Sequence, residues 1–212
     1  MVRGLEVYKQ LPADRRVKLV EDIVSGVLTA ERAVKVFSDL GLEPEDGKAF
    51  LAFLLQVAKT VAREGPEKAA EDLAALGLSE EEARALAEAI HEAIPSAQKD
   101  AALLRELGPD KLGELARGWV RLRLGDYGSR EELARALGLP LRQVAAADRL
   151  LKAYLEQVLS GELSLARLEH VLTSEYGFGQ EGARAVVGAL AERLDELYRV
   201  AIYRLLKELK EE

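Results

Sequence analysis

The sequence predicts an all-α protein, a multi-helix bundle of about ten helices joined by glycine corners and grouped in two helical lobes. Three observations predict it. Apolar residues recur at three- and four-residue spacing through most of the chain, the period of helices that bury one face. The periodic stretches are punctuated by Gly or Gly-Pro, at Gly41, Gly65-Pro66, Gly77, Gly108-Pro109, Gly138 and Gly177. Strand-like alternation occurs only where Val120, Leu122 and Leu124 are interleaved with Arg121 and Arg123, and there is no second strand for that run to pair with.

The elements follow in order. Leu5 to Leu11 reads as a short helix ended by Pro12, and Ala13 to Val27 as an amphipathic one through Val17, Val20, Ile23, Val24 and Val27. Thr29 caps Ala30 to Leu40, which Gly41 closes. Pro44 suits the first turn of Glu45 to Glu64, where its missing N–H would have no partner anyway. That helix carries Phe50, Leu51, Phe53, Leu54, Leu55, Val57, Ala58 and Val61, apolar around much of its circumference, so it is expected to be a central helix buried by its neighbours. A helix–Gly77–helix corner follows. Gly77 supplies the left-handed residue that closes the first helix, and Ser79 and Glu82 have capping-box spacing for the second. Next come Ser96 to Leu107 and then Lys111 to Leu124, read as helix on the stripe Leu112, Leu115, Trp119 and Leu122. Ser129 and Glu132 cap Glu131 to Leu137. A long helix runs from Pro140 to near Gly161, another from Ser164 to Tyr176, and a last one from Gln180 almost to the end. The expected domains are 1–108 and 109–212.

Composition narrows the class. Of 212 residues, 49% are hydrophobic but only 5% aromatic, so the core is built mainly of Leu, Ala and Val. About 70% of the unfolded chain's surface can be buried at this size, enough for a self-sufficient core. There is no cysteine, hence no disulfide framework, thiol nucleophile or zinc–thiolate site. The absence of Asn and the abundance of Glu, Arg and Lys fit a thermophilic source. No signal-peptide core and no membrane-length apolar run is found, so a soluble cytoplasmic protein is expected. The net charge is −7, yet residues 111–152 hold nine Lys+Arg against five Asp+Glu. Overall acidity disfavours non-specific nucleic-acid binding, while the basic middle leaves a local site open.

The corner repeats. Phe37 to Ala49 aligns with Leu73 to Ala85 at an offset of 36, and Tyr176 to Ala185 gives a third copy. Glu21-Asp-Ile-Val-Ser-Gly-Val-Leu28 also matches Glu156-Gln-Val-Leu-Ser-Gly-Glu-Leu163 at an offset of 135. Duplication of a helical unit and mere reuse of a helix–glycine–helix pattern both account for this.

Three segments carry a family likeness: Leu19-Val-Glu-Asp-Ile-Val-Ser-Gly-Val-Leu28, Asp46-Gly-Lys-Ala-Phe-Leu-Ala-Phe-Leu-Leu55 and Glu71-Asp-Leu-Ala-Ala-Leu-Gly-Leu-Ser-Glu80. With them, residues from about 13 to 105 resemble the helical N-terminal domain of COMM-domain proteins. The resemblance implies a non-enzymatic scaffold that binds other proteins, and it carries over no catalytic residue. The family's β-rich C-terminal module has no counterpart here, because residues 110–212 read as helical.

Candidate chemistry is sparse. His91, near Glu88 and Glu92, and His170, beside Glu169, lack the ligand density of a metal site. The runs Glu80-Glu81-Glu82 and Glu43 to Asp46 sit at expected helix N-termini, where carboxylates favour the dipole. Phosphate-binding, dinucleotide-binding and nucleophile-elbow motifs are missing. No catalytic residue, cofactor, metal or small-molecule substrate is therefore expected.

Two stretches carry binding hypotheses. In residues 130–152, Ala134, Gly138, Leu139 and Val144 occupy the small, glycine and apolar positions of a helix-turn-helix. Its second helix would present Arg142, Gln143 and Arg149 to base edges, with Trp119, Arg121, Arg123 and Tyr127 near phosphates. Ala145, Ala146, Ala147 and Asp148 count against this, so the stretch is read as a structural corner, with a DNA-binding transcriptional regulator as the alternative. In the last helix, Leu190, Leu194 and Leu197 continue a heptad-like seam, and Tyr198 and Leu205 extend a second stripe. At roughly 30 residues it would reach about 45 Å; it is read first as part of its own bundle's core, with a protein interface, a homodimer included, as the alternative. The leading expectation is a non-enzymatic interaction or scaffold protein whose partner is another protein or itself.

Overall fold

The computed structural model describes residues 2–211. These form thirteen α-helices, against an expected number of about ten, and no strand. The chain divides into two compact units, Met1–Pro95 and Ser96–Glu212. Gly108-Pro109, the expected boundary, lies inside the second unit, because the helix preceding it packs on the long helix that follows Pro140.

The first unit holds α1 (Val2–Gln10), α2 (Ala13–Val24), α3 (Ala30–Asp39), α4 (Pro44–Glu64), α5 (Pro66–Ala75) and α6 (Glu80–Ala93). Helix α4 is its hub, packed by α1, α3, α5 and α6. Phe37 of α3 meets Phe50 of α4 edge-on at 5.2 Å between ring centroids, and Tyr8 of α1 stacks on Phe50 at 6.5 Å. The expected all-round burial of α4 needs correction. Phe50, Phe53, Leu54, Val57 and Val61 are buried, but Leu55 is 58% exposed. The face bearing Leu51, Leu55 and Ala58 instead lines a groove of about 460 Å³, with Ile23 and Val24 of α2 and Ile94 opposite.

The second unit holds α7 (Ala97–Arg105), α8 (Pro109–Leu124), α9 (Arg130–Leu137), α10 (Leu141–Leu159), α11 (Leu165–Ser174), α12 (Gln180–Glu192) and α13 (Leu194–Glu211). Helix α10 is the central one, covered by α7, α8 and α9, while α12 lies along α8. Lys111 to Leu124, the stretch with a strand-like alternative, is helical within α8.

Local chemistry sets the boundaries. Thr29, Ser79, Ser96, Ser129 and Ser164 each accept a hydrogen bond from the backbone N–H three residues on, satisfying one orphan donor of the first turn. Gly77 takes φ +110° at its corner, and Leu78 N–H reaches back to the Leu73 carbonyl at 3.2 Å, closing α5 as a Schellman motif does. The repeat seen in the sequence is matched bond for bond. Leu28 N–H donates to the Asp22 carbonyl and Leu163 N–H to that of Gln157. Gly26 and Gly161 have φ of +74° and +79°. Thr29 and Ser164 then cap α3 and α11.

Candidate functional site

The last stretch is two helices, not one. Arg193, at φ −127° and ψ 26°, interrupts it between α12 and α13. On one side of the break α12 packs on α8 and α11, and on the other α13 packs on α8. The Arg193 guanidinium then braces the first turn of α13, donating to Glu196 at 2.6 and 3.1 Å and lying 3.7 Å from Asp126. Those hydrogen bonds hold the Glu196 carboxyl below its usual range.

This division splits the expected interface residues. Leu190 is fully buried, Leu197 is buried in the same core, and Leu194 packs against it, so these three belong to the interior of the unit. The other two, Tyr198 and Leu205, face solvent. From Tyr198 onward Val200 and Ala201 are half-buried, but the larger apolar residues of α13 remain open: Ile202 is 54% exposed, Tyr203 70%, Leu205 57%, Leu206 53% and Leu209 61%. Tyr198, Ile202, Leu205 and Leu209 alternate at spacings of four, three and four, so they share one face, with Leu206 on its flank. At the inner side of α13, Arg123 of α8 is half-buried. Desolvation lowers its pKa from the ordinary value, and the like charge of Arg204 adds to the effect.

The basic corner is arranged differently from a base-reading unit. Gly138 closes α9 in the left-handed region at φ +65°, Leu139 N–H bonds back to the Ala134 carbonyl, and Ala134 and Val144 are buried as the pattern requires. The second helix, however, is enclosed. Gln143, Val144, Ala145, Ala146 and Ala147 are all buried, and five consecutive residues cover more than one full turn. Gln143 donates inward to the Leu103 carbonyl at 3.3 Å. Arg149 is paired with Asp100 of α7. Trp119 is fully buried and donates its indole N–H to Asp148 at 2.9 Å, which corrects the expectation that it lies near phosphate. Arg142 and Arg121 are exposed, and Arg121 lies over the Tyr127 ring and beside Asp126. The structure thus brings these residues together as packing and ion pairs, with Arg142 alone pointing out from the start of α10.

Two features escaped the sequence reading. One is Asp100, a lone first-turn acid with no local signal of its partner. The other is the groove beside Leu55, whose only trace in the sequence was the unusual breadth of the α4 apolar face. A cleft of about 670 Å³ between α5 and α6 is lined by Glu67, Glu71, Glu80, Arg84 and Glu88. Glu67 and Glu80 sit in the first turns of these helices, where carboxylates offset the dipole. Among the described residues no group of three His, Asp or Glu side chains is placed to hold a metal ion. Among them, too, no helix is long and apolar enough to cross a membrane. Comparison of the chain with family models, with curated proteins and with solved structures finds no match.

Proposed function

We propose that this chain is a non-enzymatic interaction protein that binds other proteins through the outer face of α13. The observation that carries the reading is the row Tyr198, Ile202, Leu205 and Leu209, left open on a helix whose first turn is anchored by the buried Leu197. A contiguous exposed apolar row on a regular helix costs solubility and marks a surface that meets another apolar surface. The resemblance of residues from about 13 to 105 to the N-terminal domain of COMM-domain proteins points the same way. The DNA-binding alternative has less support, because Gln143 is turned inward and Arg149 is held by Asp100.

The test is recovery of partner proteins from the native host with the wild-type chain and with the Leu205→Glu/Leu209→Glu variant. Proteins captured by the wild type and lost in the variant support the reading. Identical capture by both overturns it.

A further inference from the structure

Resting on that reading of α13, we infer that the partner of this face is a second copy of the chain, docked antiparallel α13 to α13 about a two-fold axis between residues 203 and 204. The face is nearly symmetric about that point. Tyr198 of one copy then lies against Leu209 of the other, and Ile202 against Leu205, so each apolar layer pairs with a layer of similar bulk. This self-complementarity is what an isologous interface demands, and it closes without leaving a sticky end.

Charge fixes the direction. Helix α13 has Asp195 and Glu196 in its first turn, bases at Arg199, Arg204, Lys207 and Lys210, and Glu208 and Glu211 interleaved with the last of these. A parallel pair would put Asp195 beside Asp195 and Lys210 beside Lys210. The antiparallel pair puts Asp195 of each copy beside Lys210 of the other, on the same flank of the seam as Leu206, and opposes the two helix dipoles. Arg204 stands on the inner side of α13, where its charge acts on Arg123, and so keeps out of the seam.

Area sets the strength. Tyr198, Ile202, Leu205, Leu206 and Leu209 offer on the order of 100 Å² each, so two copies bury roughly 1,000 Å² in all, the lower edge of specific interfaces. The dimer is therefore weak, micromolar rather than nanomolar, and concentration decides its population.

Sedimentation equilibrium over micromolar to submillimolar protein tests this directly. The wild type is expected to pass from monomer to dimer, with Leu205→Glu/Leu209→Glu monomeric throughout and unchanged in helix content and melting. The chain lacks cysteine, so Glu211→Cys gives one spin-label site per copy. Antiparallel docking places the two labelled positions about 25 Å apart, and parallel docking about 12 Å. A wild type that stays monomeric, a double variant that still dimerises, or the short distance overturns the inference. If the wild type is monomeric yet captures another protein only when Leu205 and Leu209 are intact, this inference fails while the broader reading of α13 stands.

Discussion

Arg149 of α10 grips the carboxylate of Asp100 in α7 through two hydrogen bonds, 2.8 Å to Oδ1 and 3.1 Å to Oδ2, across 49 residues of sequence. The Asp100 side chain is 5% exposed and that of Arg149 26%, so the carboxylate depends on this partner more than the guanidinium does. Removing one member of a buried pair leaves the other desolvated without compensation. Arg149→Ala is expected to destabilise the second unit by about 3 kcal/mol, and Asp100→Ala by less, about 2 kcal/mol. Trp119, the only tryptophan, is buried in that unit, so urea unfolding followed by its fluorescence makes the comparison. Equal losses would show that the asymmetry in burial does not govern the pair.

The same pair affects how DNA binding should be tested. A shift assay on Arg149→Ala would mix lost contacts with lost stability, so Arg142, exposed at the start of α10, is the cleaner position.

Leucines on α13 should separate sharply. Leu197→Ala empties a buried site and is expected to cost about 2–4 kcal/mol. Leu205→Ala and Leu209→Ala, on residues more than half exposed, should stay within about 0.5 kcal/mol at dilute concentration. Thermal melts of the three variants at one low concentration check this, and a large loss at Leu205 would mean that the outer face is covered within the chain.

Gly4 is a contact glycine. A Cβ there would lie against Phe53 Cβ and 2.5 Å from the Ala49 carbonyl oxygen, both on α4. Alanine gains about 1 kcal/mol of helix propensity over glycine, but the backbone oxygen cannot move aside without shifting the helix. Gly4→Ala is therefore expected to destabilise the first unit by a net 1–3 kcal/mol or so, with faster amide exchange in α1. Unchanged exchange in α1 would show that α4 gives way at little cost.

The Tyr154 and Tyr176 hydroxyls meet at 2.7 Å, with the rings edge to face. Burial, and then the hydrogen bond that its hydroxyl shares with Tyr176, raises the Tyr154 pKa above its ordinary 10.0. The folded state thus holds the proton more tightly than the unfolded one. Its contribution is complete below pH 10 and declines as pH rises beyond that value, because the unfolded chain ionises first. Urea midpoints measured upward from pH 9 should fall, and Tyr154→Phe should flatten part of that fall while costing about 1 kcal/mol at neutral pH. An unchanged slope in the variant would place the alkaline sensitivity elsewhere, with Tyr8 the next candidate, because burial raises its phenol too.

Read alone, the sequence determined the helices, their caps and the corners between them. Thr29, Ser79 and Ser129 cap as the sequence implies, Gly77 and Gly138 turn the chain, and the match between residues 21–28 and 156–163 reappears as matched hydrogen bonds. Each of these is settled among residues a few positions apart, within reach of one turn of backbone. Only the tertiary structure decided which apolar stripes are covered and which charges are paired. Leu190 is interior and Leu205 is not, although each lies on an apolar stripe of helical period, and Leu55 is open on a helix whose other leucines differ from it only in direction. The break at Arg193 uses neither glycine nor proline, and Arg149 finds Asp100 only because α7 lies against α10. Covering and pairing depend on where whole helices come to rest, and periodicity within one helix does not encode that position.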